Sequence, residues 1–347
     1  MADTLVNLTA YTEPEVFDLL KGEWNELLER SASNRIFSTW EWEHLWWQAY
    51  CPGQLWVITC RDDNGRLLGI APWFIENRPH KTEPRRINIV RSIGCVDVTD
   101  YLDIIVDRDH IDVVVDALAA YVDQQCARYD VIDLCNIPET SLTRDKFVTA
   151  LQARGYQVTV KQQEVCPRID LPDDFETYLD SLDKKDRHEL RRKLRRAEGE
   201  ANAVSWYIVG SEHDLHREFE SFLTLMAASS PEKAEFLQDP RNAMFFKNIV
   251  YEAFNKGWLQ LNFLTVGGQP AAAYLNFDYA GQIMVYNSGL IPQTFGHLSP
   301  GIVLLCHNIR HAIENGRTIF DFLRGNERYK YRMGGKDLPV YMMIAEK

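Results

Sequence analysis

Phe320-Asp321-Phe322-Leu323-Arg324-Gly325-Asn326-Glu327-Arg328-Tyr329-Lys330-Tyr331-Arg332-Met333-Gly334-Gly335 is the stretch whose reading decides the fold. A short apolar strand runs into Arg, Gly and a dense Tyr/Lys/Arg cluster, so cations and phenols stand where a buried sheet edge opens to solvent. Such an arrangement suits an anionic ligand, because Lys and Arg offer point-charge and forked donors to phosphate or carboxylate. Upstream, Leu298-Ser299-Pro300-Gly301-Ile302-Val303-Leu304-Leu305 reads as a helix start, with Ser299 at the cap and Pro300 at the first helical position. The first N–H groups of a helix lack internal partners and sit at the positive end of its dipole, so those of Gly301 and Ile302 are candidates to hold a phosphate.

These two segments together resemble the CelD/BcsL-type branch of the GNAT acyltransferase superfamily, which pairs a Ser-Pro-Gly helix start with a Phe-Asp-Phe-Leu-Arg-Gly and Tyr-Lys-Tyr-Arg block. More distantly they resemble the Fem-type peptidyltransferases, which end in a similar Asp, Gly, Tyr/Phe-Lys and Gly-Gly pattern. The resemblance is specific over residues 170–335. It implies an α+β fold of two tandem GNAT-like domains, each a mixed twisted sheet flanked by helices. It also implies acetyl-CoA or another acyl-CoA as co-substrate. GNAT enzymes wrap the coenzyme A pyrophosphate in a loop reading Arg/Gln-x-x-Gly-x-Gly/Ala. Here the corresponding loop is Gly296-His297-Leu298-Ser299-Pro300-Gly301, with Pro in place of one donor, so another acyl carrier stays open.

The chain of 347 residues suits two domains of ordinary size. With 46% apolar and 12% aromatic residues it can fill two cores. No run approaches the roughly eighteen apolar residues of a spanning helix, and Met1–Ala10 shows no basic segment followed by an apolar one, so a cytoplasmic protein is expected. Seven cysteines, odd in number and without a C-x-x-C pair, argue against a disulfide scaffold or a thiolate metal cluster and read mostly as small buried hydrophobes. The net charge of −12 argues against a DNA binder. Yet Lys184–Arg196 alone carries a net +6, leaving −18 for the remainder. Leu182, Leu190 and Leu194 keep one face apolar, so this is an amphipathic helix whose basic face is either solvated or a groove wall for phosphates.

In the first half the patterns predict helices at 13–30, 40–50, 111–127 and 142–154 and strands at 55–60, 67–75, 101–106 and 131–134, with Asp63-Asn64-Gly65 as a hairpin turn. The second half predicts a strand at 204–209, helices at 211–228 and 243–255, and strands at 258–266, 271–279 and 282–289, with turns at Gly267-Gly268 and Ala280-Gly281. A helix at 299–315 and strands at 318–323 and 340–345 complete it. The halves repeat in architecture but not in residues, and the boundary is expected near 164–172, where Pro167 and Pro172 interrupt both periodicities. The expected division is a domain at 1–165, non-catalytic or acceptor-binding, and a catalytic domain at 166–347.

Asp321 sits inside an apolar strand, where a carboxylate must be paired or face a cleft. It reads as a general base or acceptor-holding group, or as an ion-pair partner of Arg324 or Lys330. Tyr286 is a candidate to protonate a leaving thiolate, or a cross-strand aromatic. Tyr329, Lys330, Arg324 and Arg332 form the cationic mouth, while Asp278 carries the same ambiguity as Asp321 close to a turn. His307 and His311 are four apart on a helix, but without a Glu beside the first His the zinc-protease motif fails, and they read as surface histidines; no metal is expected. No Gly-x-Ser-x-Gly elbow is present. Trp40, Trp42, Trp46 and Trp47 suit core or interface packing, with sugar stacking as the other option.

The resemblance implies an acyltransferase, expected to pass an acyl group directly from a thioester to an amine or hydroxyl of a sugar, amino sugar or amino-acid-like acceptor bound between the halves. Tyr286, Asp321 and Tyr329 are its candidate catalytic residues; Ser299, Gly301, Ile302, Arg324 and Lys330 are its candidate cofactor contacts. The alternatives are a Fem-type transferase using aminoacyl-tRNA, favoured by the basic helix and disfavoured by the missing long helical arm, and a non-catalytic module that binds an anion.

Overall fold

The computed structural model describes residues 6–95, 98–199 and 203–347. The first stretch of chain forms β1 (Val6–Tyr11), α1 (Glu15–Arg30), α2 (Trp40–Tyr50), β2 (Gln54–Asp62), β3 (Leu67–Pro79), β4 (Arg86–Ser92), β5 (Ile105–Val106), α3 (Ile111–Gln124), β6 (Val131–Pro138), α4 (Arg144–Gln152) and β7 (Gln157–Asp170). There follow α5 (Phe175–Ser181), α6 (Lys184–Ala197), β8 (Val204–Ile208), α7 (Leu215–Ser229), α8 (Pro231–Gln238), α9 (Pro240–Asn255), β9 (Leu259–Val266), β10 (Gln269–Tyr279) and β11 (Gln282–Leu290). The single turn α10 (Pro292–Phe295), α11 (Pro300–Glu314), β12 (Ile319–Asp321), α12 (Arg328–Arg332) and β13 (Lys336–Glu346) close the chain.

Two compact units result, one from residues up to Glu164 together with Leu338–Lys347, the other from Val165–Asp337. Each is a mixed sheet flanked by helices. In unit 1 the antiparallel strands β1-β2-β3-β4 are followed by the crossover helix α3 and by β6, which pairs parallel with β4. Unit 2 repeats this plan, with antiparallel β8-β9-β10-β11, the crossover helix α11, and β12 parallel to β11. A parallel pair needs such a crossover, so the sequence order of hairpins followed by strand–helix–strand dictates both units.

The outer strands correct the expected division. The last strand, assigned to the second domain by sequence, pairs antiparallel with β6 in unit 1, and the end of β7 pairs antiparallel with β12 in unit 2. Pro167 does not interrupt the chain, because β7 runs through it; its carbonyl accepts from the Phe322 N–H at 2.9 Å, and a strand tolerates proline where no ladder N–H is needed. The expected strand at 101–106 shrinks to Ile105–Val106.

The tryptophan-rich helix closes the core of unit 1. Trp42 and Trp46 are fully buried, Trp42 stands edge-on to Phe37 with centroids 4.7 Å apart, and its indole N–H donates to Thr99 Oγ1 at 3.0 Å. Rings enclosed in this way cannot stack on a sugar. Among the cysteines, Cys60, Cys166 and Cys306 are buried and outside any disulfide, whereas Cys95 and Cys135 are joined by one, a pairing that the sequence reading did not expect. No helix of the described residues is long and apolar enough to cross a membrane.

Helix α7 packs so closely on β11 that a Cβ on Gly289 would lie 2.4 Å from the Met226 backbone nitrogen and 2.5 Å from the Leu225 carbonyl carbon. Backbone cannot yield as a side-chain tip can. Gly289→Ala is therefore expected to cost about 1–3 kcal/mol by overpacking, seen as a lowered midpoint in chemical denaturation; an unchanged midpoint would refute the close α7–β11 contact.

Candidate functional site

The site grows from the place where β11 and β12 part. Their parallel pairing covers Gln282–Met284 against Ile319–Asp321, after which β12 ends while β11 continues to Leu290 beside β10. A bulge in β11 at Tyr286 shifts the register between Leu275 and Asn276. Such a bulge re-aims the side chains beyond it. The opening is a cavity of about 300 Å³ lined by Tyr274, Ser288, Leu290, Gly296, Ser299, Pro300, Gly301, Ile302 and Tyr329.

Ser299 adopts left-handed backbone angles, φ 54° and ψ 52°, and its side chain does not cap α11 as the sequence suggested. Its hydroxyl instead accepts from Lys193 Nζ at 2.7 Å, and Arg196 on the same basic helix donates to the His297 carbonyl at 2.9 Å. Thus α6 braces the loop in front of α11. Gly301 and Ile302 occupy the first turn of α11, where amides have no intrahelical partner. A Cβ at Gly301 would meet only Leu290 Cδ2 at 3.4 Å and the Tyr274 hydroxyl at 3.8 Å.

Tyr329 brings its phenol to the wall. Burial, aided by the charge of Glu327, pushes its pKa well above the ordinary phenol value, so it is a proton donor at every physiological pH. Buried Tyr274 is pushed up likewise, by burial first and then by Tyr329 and Cys306. Sequence reasoning missed Tyr274. The one available signal was the lone large side chain after Ala271-Ala272-Ala273 on a strand leading to the bulge.

The structure gathers Ser299, Gly301, Ile302 and Tyr329 around one cavity and leaves the other candidates outside its lining. Tyr286 packs its ring on Phe246 and Phe277 at 5.4 and 5.2 Å, on the side of α9. Lys330 is 2% exposed and donates to the carbonyls of Leu323, Arg324 and Gly325 at 3.0, 2.7 and 3.1 Å, with Glu327 at 2.9 Å. Its ammonium is spent on the turn and is not available to a cofactor, which corrects its expected role. Asp321 is 3% exposed, and its Oδ1 accepts from the Leu323 N–H at 2.7 Å, holding that residue at φ 57°. Arg324 is half-buried, and its carbonyl is one of those held by Lys330.

Three further readings change. Asp278 pairs with Arg317 through two bonds of 2.7 and 2.9 Å. His307 is buried and stacks on Trp206 at 5.0 Å, with burial, reinforced by Arg310, lowering its pKa to about 4, so it is not the surface histidine expected. Half the cations of α6 are tied locally: Arg187 to Asp180, Arg191 to Glu176, and Arg192 and Lys193 to Glu189. Among the described residues no cluster of three or more His, Cys, Asp or Glu side chains is placed to hold a metal ion.

Comparison with known proteins adds a family to this geometry. Residues 184–331 match the family model described as acetyltransferase (GNAT) domain. A search of curated proteins gives no match. Among solved structures the chain is similar to FemX, with 11% identity, 97% of this chain and 96% of that one covered, and a TM-score of 0.64. It is also similar to L-PGS from Bacillus licheniformis, at 12% identity, 97% and 92% coverage and a TM-score of 0.53. A third likeness is to the C-terminal domain of a putative lysylphosphatidylglycerol synthetase from Agrobacterium fabrum, at 10% identity, 94% and 92% coverage and a TM-score of 0.53. Identities this low speak to fold alone. The parting strands, the helix start beside them and the comparisons agree on an α+β fold of two GNAT-like domains, the second of which contains the residues that match the acetyltransferase (GNAT) model.

Proposed function

We propose that the second unit transfers an acyl group directly from a coenzyme A thioester to an amine or hydroxyl of a small acceptor. The observation that carries this reading is the Lys193–Ser299 contact at the open cavity in front of α11. A lysine, first-turn amides and a helix dipole there converge on one place suited to the donor's phosphates. The thioester would then lie along β11 past Met284, where β12 no longer pairs and strand amides can polarise a carbonyl. Tyr329 or Tyr274, both kept protonated, supplies the proton for the departing thiolate. Asp321 and Lys330 act by fixing the turn that delivers Tyr329. We read the transfer as direct, without a covalent intermediate.

Unit 1 supports the assignment of roles by contrast. The turn that leads into its crossover helix α3 is occupied by Asp107, which is 2% exposed and bonded to Arg30 and Arg66 at 3.0 and 2.8 Å. Burial works to raise the pKa of this carboxyl, but Arg30 and the Asp109 N–H outweigh it and hold the group ionised. The ion-pair network fills the turn, so we assign unit 1 no donor site.

The rival reading is an aminoacyl-tRNA donor, favoured by the exposed Lys184, Lys185, Arg195 and Arg196 of α6. Calorimetric titration with acetyl-CoA and with bulk tRNA separates the two. Saturable acetyl-CoA binding that weakens with salt supports the thioester reading; tRNA binding without it favours the rival.

Gly301→Asp is sterically admissible and places a like charge beside the donor phosphates. It should cost about 1–2 kcal/mol of acetyl-CoA binding, the scale of a charged hydrogen bond, while Gly301→Ala costs much less. Equal affinities for the two variants would move the phosphates elsewhere.

Asp321→Asn keeps an oxygen acceptor for the Leu323 N–H, so it should leave acetyl-CoA affinity and single-turnover rate within a few-fold of wild type. A fall of roughly 10²–10⁴ in turnover with unchanged binding would instead make Asp321 a base. Lys330→Met strands three carbonyls and should destabilise unit 2 by about 3 kcal/mol or more in denaturant unfolding; a stable variant that loses only acetyl-CoA would restore Lys330 to the cofactor.

A further inference from the structure

A second lysine contacts another residue of the cavity lining. Lys233, in the first turn of α8, donates to the Ser288 carbonyl at 2.5 Å and reaches the Ser288 hydroxyl at 3.4 Å. Ser288 lines the cavity on β11, while Ser299, the serine held by Lys193, lines it on the loop before α11. Each wall therefore presents a hydroxyl backed by an ammonium. The Lys193 side adjoins the helix start. The Lys233 side adjoins the strand past its bulge, away from that start.

Lys233 differs from the other buried lysine in its surroundings. Lys330 has Glu327 at 2.9 Å, but no carboxylate among the described residues lies within ion-pair distance of Lys233. Burial lowers its pKa to about 8, and the more distant charge of Glu327 acts in the opposite direction without cancelling this. An ammonium held partly out of water without a counter-ion is destabilised, and an anion supplied by a ligand relieves it.

We propose that Lys233 Nζ and Ser288 Oγ bind a carboxylate of the acceptor, making the acceptor an amino-acid-like molecule whose nucleophile points into the cavity. The proposal rests on the acyltransferase reading for the word acceptor, but the anion site stands on its own geometry. A monoanion fits best: one lysine supplies one positive charge, one hydroxyl supplies one further donor, and nearby Glu327 disfavours a second negative charge. Lys233 is a positioning residue here and takes no part in bond making.

The test follows the Lys233 ammonium directly by NMR in protein labelled with ¹⁵N-lysine, assigned by its absence in Lys233→Met. Glycine, ethanolamine and O-phosphoethanolamine serve as probes, sharing an amine and differing in carboxylate, hydroxyl and phosphate. Glycine is expected to shift the Lys233 signal saturably and to raise its pKa above about 8, because a bound anion favours the charged form. Ethanolamine should do neither, and Lys233→Met should bind glycine roughly tenfold more weakly, the scale of one charge-assisted hydrogen bond. No response to glycine, or an equal response to ethanolamine, overturns the proposal; a response to O-phosphoethanolamine alone overturns its carboxylate identity. Acetyl-CoA titration of wild type and Lys233→Met is run alongside. Unchanged donor affinity in the variant keeps the two lysines functionally separate, and a parallel loss would assign Lys233 to the donor. Failure of acetyl-CoA to bind wild type while glycine still shifts Lys233 would remove the donor reading and leave the anion site.

Discussion

The buried Lys330 ammonium, with three backbone carbonyls around it, is the interaction on which the site depends. A lysine with 2% exposure is stable only when its protons are matched, and the carbonyls of Leu323, Arg324 and Gly325 do so together with Glu327. To present three successive carbonyls to one point, the chain must curl. Leu323 accordingly takes φ 57° under the hold of Asp321, and Gly325 takes φ 109°. The same clasp explains the glycine pair downstream: the Gly335 N–H donates to the Lys330 carbonyl at 3.0 Å, and a Cβ there would lie 2.9 Å from that oxygen. Tyr329, adjacent to the clasped lysine, is thereby fixed at the cavity wall.

Strand parting and helix start are two consequences of one topology. A crossover helix must leave β11 and return to β12, so its first turn necessarily lies off the carboxyl end of the sheet, where ligands of open α/β sheets gather. In unit 2 that first turn faces a cavity flanked by Lys193. In unit 1 the equivalent turn is closed by Asp107 with Arg30 and Arg66. One plan thus yields an open pocket with a lysine-braced loop and a sealed ion-pair network, and the difference rests on which side chains stand before the helix.

The two units also exchange their outer strands, since β13 completes the sheet of unit 1 and the end of β7 that of unit 2. An unpaired strand edge exposes unmatched N–H and C=O groups; unit 1 covers such an edge with Leu338–Lys347, chain from beyond its own contiguous stretch, and unit 2 with the last residues of β7, which open its own. Periodicity records only that a segment is extended. It carries no information on which sheet receives it, and so the expected boundary at 165 could not anticipate the return of Leu338–Lys347.

Local chemistry in the sequence determined the elements: the short apolar runs of β9, β10 and β11, the Gly267-Gly268 and Ala280-Gly281 turns, the amphipathic α6, and Ser-Pro-Gly at the start of α11. These signals are legible because they depend on neighbours within a few residues. The Phe-Asp-Phe-Leu-Arg-Gly and Tyr-Lys-Tyr-Arg block was likewise legible as a cluster of cations and phenols at a strand end, and of its residues Tyr329 lines the cavity. What each charged group does there was decided by tertiary structure alone. Whether an ammonium meets carbonyls, as Lys330 does, a serine hydroxyl at a helix start, as Lys193 does, or a cavity wall without a counter-ion, as Lys233 does, depends on residues up to about a hundred positions away. Lysine has the same intrinsic charge in all three places, and only the surrounding burial and partners make it a clasp, a brace or a cation without a counter-ion.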